Sequence, residues 1–477
     1  MIRSTVRGMV QRRQMSSLVK FKTNNTARVV TLNRPEKLNA INHEICHSIL
    51  PVMQEYAKSD VANVIVFDSA CAPRAFCAGG DIVLMAKAMR RDMLEKVDDF
   101  FQGEYTMNWM LATYPKPVVA LMDGITMGGG VGLTIHVPFR VATENTKWAM
   151  PELDIGLHPD VGVSFALPRI MTLGGQEGQL GYYLCLTGEV LQGADVYMAG
   201  LASHYVESTQ HGALKERLGT VPITRKADET FANTNAVIEE FSSPLPDGYQ
   251  FKYNKEELDV IERFFHYDVS YKELRKNLEA FASSNANSEV ARNFAKATLE
   301  KLSTKSTVSA EITREQFRRN SQRDIQSAMK QDLITSTNLL RNNELAEFEN
   351  AVIHKLVEKA KTPYEWKNTS PSVADISKLL AADPANPIDL LETFGVTFKN
   401  YRYHNKFTLP TEAAVQAYIT GTDQSGRSMA VTRAETVKYF TEFNPVSRGK
   451  VGTEYVVNLI IDRKCRMDND SFLHWNY

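Results

Sequence analysis

Short apolar runs, separated by stretches with helical spacing, dominate the first half of the chain. Four of these runs are rich in β-branched residues and are bounded by turn-forming residues, which predicts strands. They lie at 28–32, 63–68, 117–122 and 139–143. A helix is predicted over 128–137, where it opens at a run of glycines. Strands that alternate with helices predict an α/β fold class with a largely parallel sheet.

After about residue 225 the pattern changes to apolar positions at helical spacing. Such spacing recurs through 228–365, for example at Leu258, Ile261 and Phe265. The last hundred residues give mixed signals, which include a strand-like run at 455–461. We therefore predict four segments along the chain: a presequence at 1–20, a core at 21–225, a helical region packing on the core at 226–375, and a C-terminal extension at 376–477.

Composition narrows the class of protein without identifying it. The chain has 477 residues, of which 43% are hydrophobic and 23% are charged, and this is typical of a globular protein. A net charge of -1 gives no sign of a nucleic-acid partner. No apolar run is long enough to predict a membrane span. The five cysteines contain no C-x-x-C pair, so neither a disulfide framework nor a cysteine zinc site is indicated.

The N-terminal segment carries a targeting pattern. The first 35 residues contain no Asp or Glu, and they include Arg3, Arg7, Arg12 and Arg13. Ile2 and Val6 lie on one face of a possible helix. An acid-free amphipathic start of this kind is typical of a mitochondrial presequence, and a disordered basic tail is the alternative. We predict that the protein resides in the mitochondrial matrix.

Two glycine-rich turns followed by two carboxylates are the strongest chemical signal. The turns are Ala75–Asp81 and Gly124–Gly132, and the carboxylates are Glu152 and Asp160. Two such turns can direct two backbone N–H groups at one oxygen, which forms an oxyanion hole for the charge that develops on a thioester carbonyl. A carboxylate beside it supplies a base or a nucleophile. Cys77 also lies in the first turn, and a packing role explains it better than nucleophilic catalysis.

These motifs resemble the crotonase (enoyl-CoA hydratase/isomerase) superfamily. The resemblance rests on Ala-Phe-Cys-Ala-Gly-Gly-Asp, Gly-Ile-Thr-Met-Gly-Gly-Gly-Val-Gly, Met-Pro-Glu and Gly-Leu-x-Pro-Asp-Val-Gly, and it extends from about residue 27 to 366. It implies repeated ββα units, a CoA thioester substrate, and neither a metal nor a redox cofactor. CoA would enter only as part of the substrate.

The resemblance also implies roles for individual residues. Gly80 and Gly129 would donate the oxyanion-hole N–H groups. Glu152 would be the principal catalytic carboxylate, either as general base or as nucleophile. Asp160 would be the second catalytic carboxylate and would help to orient the substrate, and Glu104 would contact a hydroxyl group of the substrate. The predicted substrate-binding residues are therefore Glu104, Gly129, Glu152 and Asp160.

One position separates the possible reactions. Hydratases of this superfamily carry a second catalytic Glu two residues after the glycine triplet, where this chain has Gly132. Because hydration needs both an acid and a base, this absence favours a thioester hydrolase. The chain most resembles the branch that cleaves 3-hydroxyisobutyryl-CoA in valine breakdown. His158 replaces the aromatic residue usual before Pro-Asp, and a pocket-wall role explains it better than a role as base.

Other functions remain open at this stage. Fungal relatives of the hydrolase branch occur in the mitochondrial small ribosomal subunit, so a structural role there is an alternative or an addition. A different acyl-CoA hydrolase or isomerase activity is a third hypothesis. Two basic clusters could contact RNA phosphates, although a solvated helix face and a docked tail explain them better. They are Arg314, Arg318, Arg319 and Arg323, and Arg448, Lys450, Arg463, Lys464 and Arg466. The oligomeric state is not indicated.

Overall fold

The computed structural model describes residues 18–342, 344–423, 427 and 429–476. Most of the predicted presequence lies outside these residues, and the first strand begins at Val19. The described strands are β1 (Val19–Asn24), β2 (Ala27–Leu32), β3 (Val64–Ser69), β4 (Ala75–Cys77), β5 (Val118–Met122), β6 (Ile125–Met127), β7 (Phe139–Ala142), β8 (Lys147–Ala149), β9 (Leu191–Gln192), β10 (His204–Tyr205), β11 (Cys465–Met467) and β12 (Leu473–Trp475).

Helices surround these strands and fill most of the second half of the chain. They are α1 (His43–Lys58), α2 (Ile82–Met89), α3 (Leu94–Ala112), α4 (Gly129–Ile135), α5 (Val163–Ile170), α6 (Gln179–Thr187), α7 (Ala194–Met198), α8 (His211–Leu218), α9 (Ala227–Glu239), α10 (Lys255–Phe264), α11 (Tyr271–Ser283), α12 (Glu289–Ser303), α13 (Thr307–Asn320), α14 (Ile325–Arg341), α15 (Phe348–Val352), α16 (Val373–Leu379), α17 (Glu412–Thr420), α18 (Arg433–Lys438) and α19 (Thr453–Lys464). Within the described residues, none of the helices has both the length and the apolar character that a membrane span requires.

A six-stranded sheet forms the centre of the core. Its order is β1-β2-β3-β5-β7-β10, and every pair except β1–β2 is parallel. Successive residues of its strands enter two different apolar clusters: Val64 and Val66 pack on one side, and Ile65 and Phe67 pack on the other. Burial on both faces explains why these strands appear in the sequence as continuous apolar runs.

A second, four-stranded sheet carries the loops of interest. Its order is β4-β6-β8-β9, with β4–β6 and β6–β8 parallel. The carboxyl ends of β4, β6 and β8 therefore lie at one edge. The α/β fold with a largely parallel sheet, predicted from the apolar runs, is confirmed.

The C-terminal segment contains one element that sequence reasoning assigned wrongly. The run 455–461 was expected to be a strand because it is short and rich in β-branched residues, but it lies within helix α19. Val456, Val457, Ile460 and Ile461 are its buried apolar residues, and this spacing covers one face of a helix. Packing of that face on the rest of the protein overrides the preference of the individual residues for a strand.

Candidate active site

Three neighbouring strand ends deliver the two glycine turns and the first carboxylate to the same place. β4 leads into Gly79-Gly80, β6 leads into Gly128-Gly129, and β8 leads through Pro151 into a short 3-10 helix that begins at Glu152. Because the three strands run parallel and adjacent, their following residues meet at one edge of the sheet. The fold thus brings together groups that lie about 70 residues apart in the chain.

Glycine is required at these turns for two physical reasons. Gly79 has φ +105° and Gly128 has φ +49°, which are conformations that residues with a side chain rarely adopt. Gly129 also lies close to its neighbours: a methyl group on its Cα would be 3.2 Å from the Gly80 nitrogen and would overlap Glu104 Oε1. Gly129 is the first residue of α4, so its N–H precedes the hydrogen-bonded part of the helix. The amides of Gly80 and Gly129 are therefore close together and available to one acceptor.

Two carboxyl groups border this pair of amides. A methyl group on Gly128 would lie 2.8 Å from Glu152 Oε1, and Glu104, on α3, lies against Gly129. Both residues are buried, with exposed fractions of 5% for Glu152 and 2% for Glu104. Within the described residues, Glu152 Oε2 and Glu104 Oε1 have no hydrogen-bond partner. Buried carboxyl oxygens without partners are costly, which marks them as groups that a substrate or water completes.

Asp160 forms the other side of the cluster. The Tyr105 hydroxyl, on α3, donates a 2.5 Å hydrogen bond to Asp160 Oδ2, and Ser336 Oγ, on α14, lies 2.8 Å from the same hydroxyl. His158 Nε2 lies 3.0 Å from Ser336 Oγ. This chain of polar contacts fixes the loop that carries Asp160 to two helices at once.

The three acidic side chains oppose one another's ionisation. Burial raises the pKa of Glu152 well above its ordinary value, and the charge of Asp160 raises it further. Burial and Asp160 act in the same way on the pKa of Glu104. Burial also raises the pKa of Asp160 to about 6, although the hydrogen bond from Tyr105 opposes the rise. Burial and the neighbouring charge of Asp160 thus make Glu152 and Glu104 stronger proton acceptors than the same groups in water.

Two other candidate residues from the sequence, Cys77 and His158, are poorly suited to catalysis. Cys77 is fully buried, and burial raises the pKa of its thiol to about 12, so it is not a thiolate at neutral pH. Burial lowers the pKa of His158 to about 4, so its ring is neutral. Its contact with Ser336 fits the wall role that the sequence favoured over a role as base.

Several polar residues of the site were missed in the sequence. Tyr105 follows Glu104 directly, and Asn108 is one helical turn further on, so their positions on α3 offered a signal. Ser336 and Asp332 offered none, because α14 lies far along the chain and only the tertiary fold brings it against α3. Asp332 Oδ2 accepts a 2.7 Å hydrogen bond from the Gly162 amide, just after the Asp160 loop.

Gly132 has a steric explanation. A Cβ atom at this position would lie 2.7 Å from Val161 Cβ and 2.8 Å from Asn108 Nδ2. The space in which a second glutamate of the hydratase type would begin is therefore filled. Val161 and Asn108 therefore leave no room for a glutamate side chain at position 132.

A cavity of about 500 Å³ adjoins the first glycine turn. Phe100 and Met85 line this cavity, and a methyl group on Gly80 would lie 3.2 Å from the Phe100 ring and 3.6 Å from Met85 Cε. Lys87, Arg91 and Lys96 also line it. The cavity is thus apolar next to the glycine turn and contains basic groups.

Among the described residues, acidic side chains pair with six of the nine members of the two basic clusters named in the sequence. Glu315 forms ion pairs with Arg314, Arg318 and Arg319. In the C-terminal cluster, Lys450, Arg463 and Lys464 are buried, and they pair with acidic residues of other elements. These side chains dock the C-terminal segment, which agrees with the favoured interpretation.

Comparison with known proteins places this geometry in context. A family model described as enoyl-CoA hydratase/isomerase matches residues 27–380. The small ribosomal subunit protein mS47 of Neurospora crassa is 37% identical over 447 residues, which cover 91% of this chain and 83% of that protein. The mitochondrial 3-hydroxyisobutyryl-CoA hydrolase of Homo sapiens is 34% identical over 372 residues, covering 78% of this chain and 88% of that protein.

A solved structure supports the same assignment of fold. An enoyl-CoA hydratase from Rhodobacter sphaeroides superposes with a TM-score of 0.62 and 27% sequence identity, over 76% of this chain and 97% of that one. The predicted fold class is confirmed by this likeness. Mitochondrial localisation is also confirmed by the relatives, whereas location in the matrix stays a prediction.

Proposed function

The chain belongs to the enoyl-CoA hydratase/isomerase family, and we propose that it hydrolyses 3-hydroxyisobutyryl-CoA to the free hydroxy acid and CoA. The observation that carries this proposal is the convergence of the Gly80 and Gly129 amides with Glu152 at one edge of the sheet. The relatives named as this hydrolase support the choice of substrate. No cofactor beyond the CoA moiety of the substrate is part of the proposal.

In the proposed reaction the two amides bind the thioester carbonyl oxygen. Attack on the carbonyl carbon transfers negative charge to this oxygen, and preorganised N–H donors stabilise that charge. The positive end of α4 adds to the effect, because Gly129 is its first residue. The thiolate of CoA then leaves as the carbonyl re-forms.

Glu152 supplies the attacking group. As general base it would take a proton from water, which adds to the carbonyl carbon. As nucleophile it would form an acyl anhydride, which water then cleaves. Asp160 and Glu104 would bind the 3-hydroxyl group and thereby select a hydroxyacyl chain.

Release of CoA from 3-hydroxyisobutyryl-CoA tests the proposal directly. We expect the purified protein to release CoA from this ester faster than from isobutyryl-CoA, which lacks only the hydroxyl group. 3-Hydroxypropionyl-CoA tests the preference for the branched chain. If none of the three esters is cleaved above the uncatalysed rate, the proposal is wrong.

A single turnover in H₂¹⁸O can detect a nucleophilic role of Glu152. If Glu152 is the nucleophile and water attacks the glutamyl carbon of the anhydride, the label enters Glu152. Mass spectrometry of the peptide that contains Glu152 detects it. If the glutamate is a general base, the label enters only the hydroxy acid.

Membership of the mitochondrial small ribosomal subunit is the second candidate function. The relative named mS47 supports it, because the alignment covers 91% of this chain. A match of that length must include part of the C-terminal extension. The human hydrolase aligns over a smaller share. Sedimentation of mitochondrial extracts tests it: the protein should move with the small subunit at physiological salt. Recovery only at the top of the gradient would exclude stable membership and leave the hydrolase proposal intact.

A further inference from the structure

Two histidines and one aspartate converge on the surface, away from the carboxyl cluster. His43 and His47 lie on α1, one helical turn apart, and Asp99 lies on the neighbouring helix α3. His43 Nδ1 is 2.7 Å from Asp99 Oδ2, and His47 Nε2 is 3.8 Å from Asp99 Oδ1. One ligand atom from each side chain lies within 4.8 Å of the other two.

We propose that His43, His47 and Asp99 form a binding site for a divalent transition-metal ion of the zinc class. Imidazole nitrogen and carboxylate oxygen are ligands that zinc prefers. With bonds of about 2.0–2.2 Å, tetrahedral coordination separates the ligand atoms by about 3.4 Å. The observed separations bracket this value, so small rotations of the side chains complete the site.

The packing of the two helices makes these rotations possible. All three side chains are about half exposed, and the two imidazole rings already lie 3.9 Å apart between centroids. Gly103, on α3, leaves room for His47: a methyl group there would lie 3.5 Å from His47 Nε2. Three protein ligands leave the fourth position of a tetrahedral ion to water.

The site lies beside the backbone of the first glycine turn. The Ile41 amide donates to the Gly79 carbonyl, and the Asp81 amide donates to the Ile41 carbonyl, each at 2.7 Å. His43 begins α1 two residues later, and α3 carries Asp99 as well as Glu104. A bound ion therefore joins the two helices that flank this turn, and it stabilises their packing.

The cysteine pattern did not indicate this site, and no cysteine takes part in it. His43 and His47 have the spacing that places two ligands on one helix face, but the third ligand comes from another helix. Only the fold supplies that partner. His43 and Asp99 also line the cavity beside the first glycine turn. The test of the metal site requires no substrate, so its failure is distinguishable from failure of the proposed hydrolysis.

Calorimetric titration of the chelator-treated full-length protein with Zn²⁺ tests the proposal. We expect one ion per chain, and a Co²⁺ complex with the visible absorption of a tetrahedral nitrogen–oxygen site. H43A, H47A and D99N should each weaken binding at least about tenfold, since loss of even an outer partner of a zinc ligand costs 10–100-fold. Zn²⁺ should raise the thermal midpoint of the wild type but not that of H47A.

H474A is the matched control, because His474 and Asp468 form a surface pair at 2.7 Å. This variant should bind Zn²⁺ like the wild type. Circular dichroism without metal shows whether each variant is folded. If a histidine variant does not fold, D99N still tests the site, because asparagine keeps the shape of the aspartate side chain. Absence of stoichiometric binding by the wild type would overturn the proposal. Binding that D99N, H43A and H47A leave unchanged would overturn it as well.

Discussion

Two buried glutamates of this protein are held in opposite ways. Glu412, in the C-terminal extension, accepts hydrogen bonds from the amides of Gly174 and Gly175 at 3.0 and 3.2 Å and from Arg463 at 2.5 Å. Glu152, at the sheet edge, has a buried oxygen without a partner among the described residues. Both side chains are nearly inaccessible to solvent.

The difference shows how a structural carboxylate is distinguished from a chemical one. Burying a charge is tolerated when partners replace its hydration, as they do for Glu412. Glu152 lacks such compensation: burial raises the pKa of both carboxyl groups, but Glu412 has amide and arginine donors, whereas one oxygen of Glu152 has no partner among the described residues. We infer that Glu412 contributes to stability and that Glu152 is held ready for a substrate at some cost in stability.

The strongest test of this distinction is E152Q. Glutamine keeps the shape of the side chain but can neither accept a proton nor form an anhydride. We expect the rate of CoA release to fall by roughly 10²–10⁴-fold, the range for loss of an acid–base group. The free energy of unfolding in denaturant should not decrease, because the substitution replaces a buried carboxyl group, one oxygen of which has no described partner, by a neutral amide. A variant with undiminished turnover would contradict the role of Glu152.

Substitution of Gly129 by alanine should have the next largest effect. The added methyl group would lie 3.2 Å from the Gly80 nitrogen and would overlap Glu104 Oε1, so it would disturb both the amide pair and the neighbouring carboxyl group. We expect a decrease of about 10²–10³-fold in kcat, as for loss of an oxyanion-hole donor. G212A is the control, because a Cβ on Gly212, in α8, would meet no heavy atom of the described residues within 4 Å outside its own stretch of helix. Its turnover should equal that of the wild type.

E412Q should reverse the pattern found for E152Q. Removal of the charge takes away one of the three acidic partners that the described residues give the buried Arg463, and Asp259 and Glu262 remain. We expect a loss of about 3 kcal/mol in the free energy of unfolding, the lower end of the range for a broken buried pair. The rate of CoA release per folded molecule should not change. Equal unfolding curves for E412Q and the wild type would remove the contrast between the two glutamates.

The smallest expected effect concerns pH. An ionised Asp160 accepts a stronger hydrogen bond from the substrate hydroxyl than a protonated one, so kcat/KM of the wild type should fall as the pH drops through about 6. The Tyr105 hydroxyl stabilises the charged form, so its removal raises the pKa of Asp160. For Y105F we expect the acid limb to move upward by about one pH unit, since hydrogen bonds to charged groups contribute about 1.5–3 kcal/mol. An unchanged profile would separate Asp160 from the acid limb.

The core, its glycine turns and the presence of a helical region after residue 225 could be predicted from the sequence, but the docking of individual helices against the site could not. Apolar runs such as 63–68 and 117–122 can be recognised as strands in the sequence because both faces of the sheet are buried. Gly80, Gly129 and Glu152 follow strand ends, so their meeting at one edge follows from parallel pairing. Ser336 comes from a helix whose docking depends on side-chain packing. The helix at 455–461 was missed because a short apolar run does not distinguish helix from strand.

The neighbouring ends of β4, β6 and β8 also separate two tasks. Hydrogen-bonded strands lie about 4.8 Å apart, and this spacing sets the distance between the groups that act on a carbonyl. The side chains that hold the Asp160 loop come instead from α3 and α14, which lie outside the sheet. The architecture therefore permits new substrates to be acquired through helix variation while the carbonyl-activating edge stays the same.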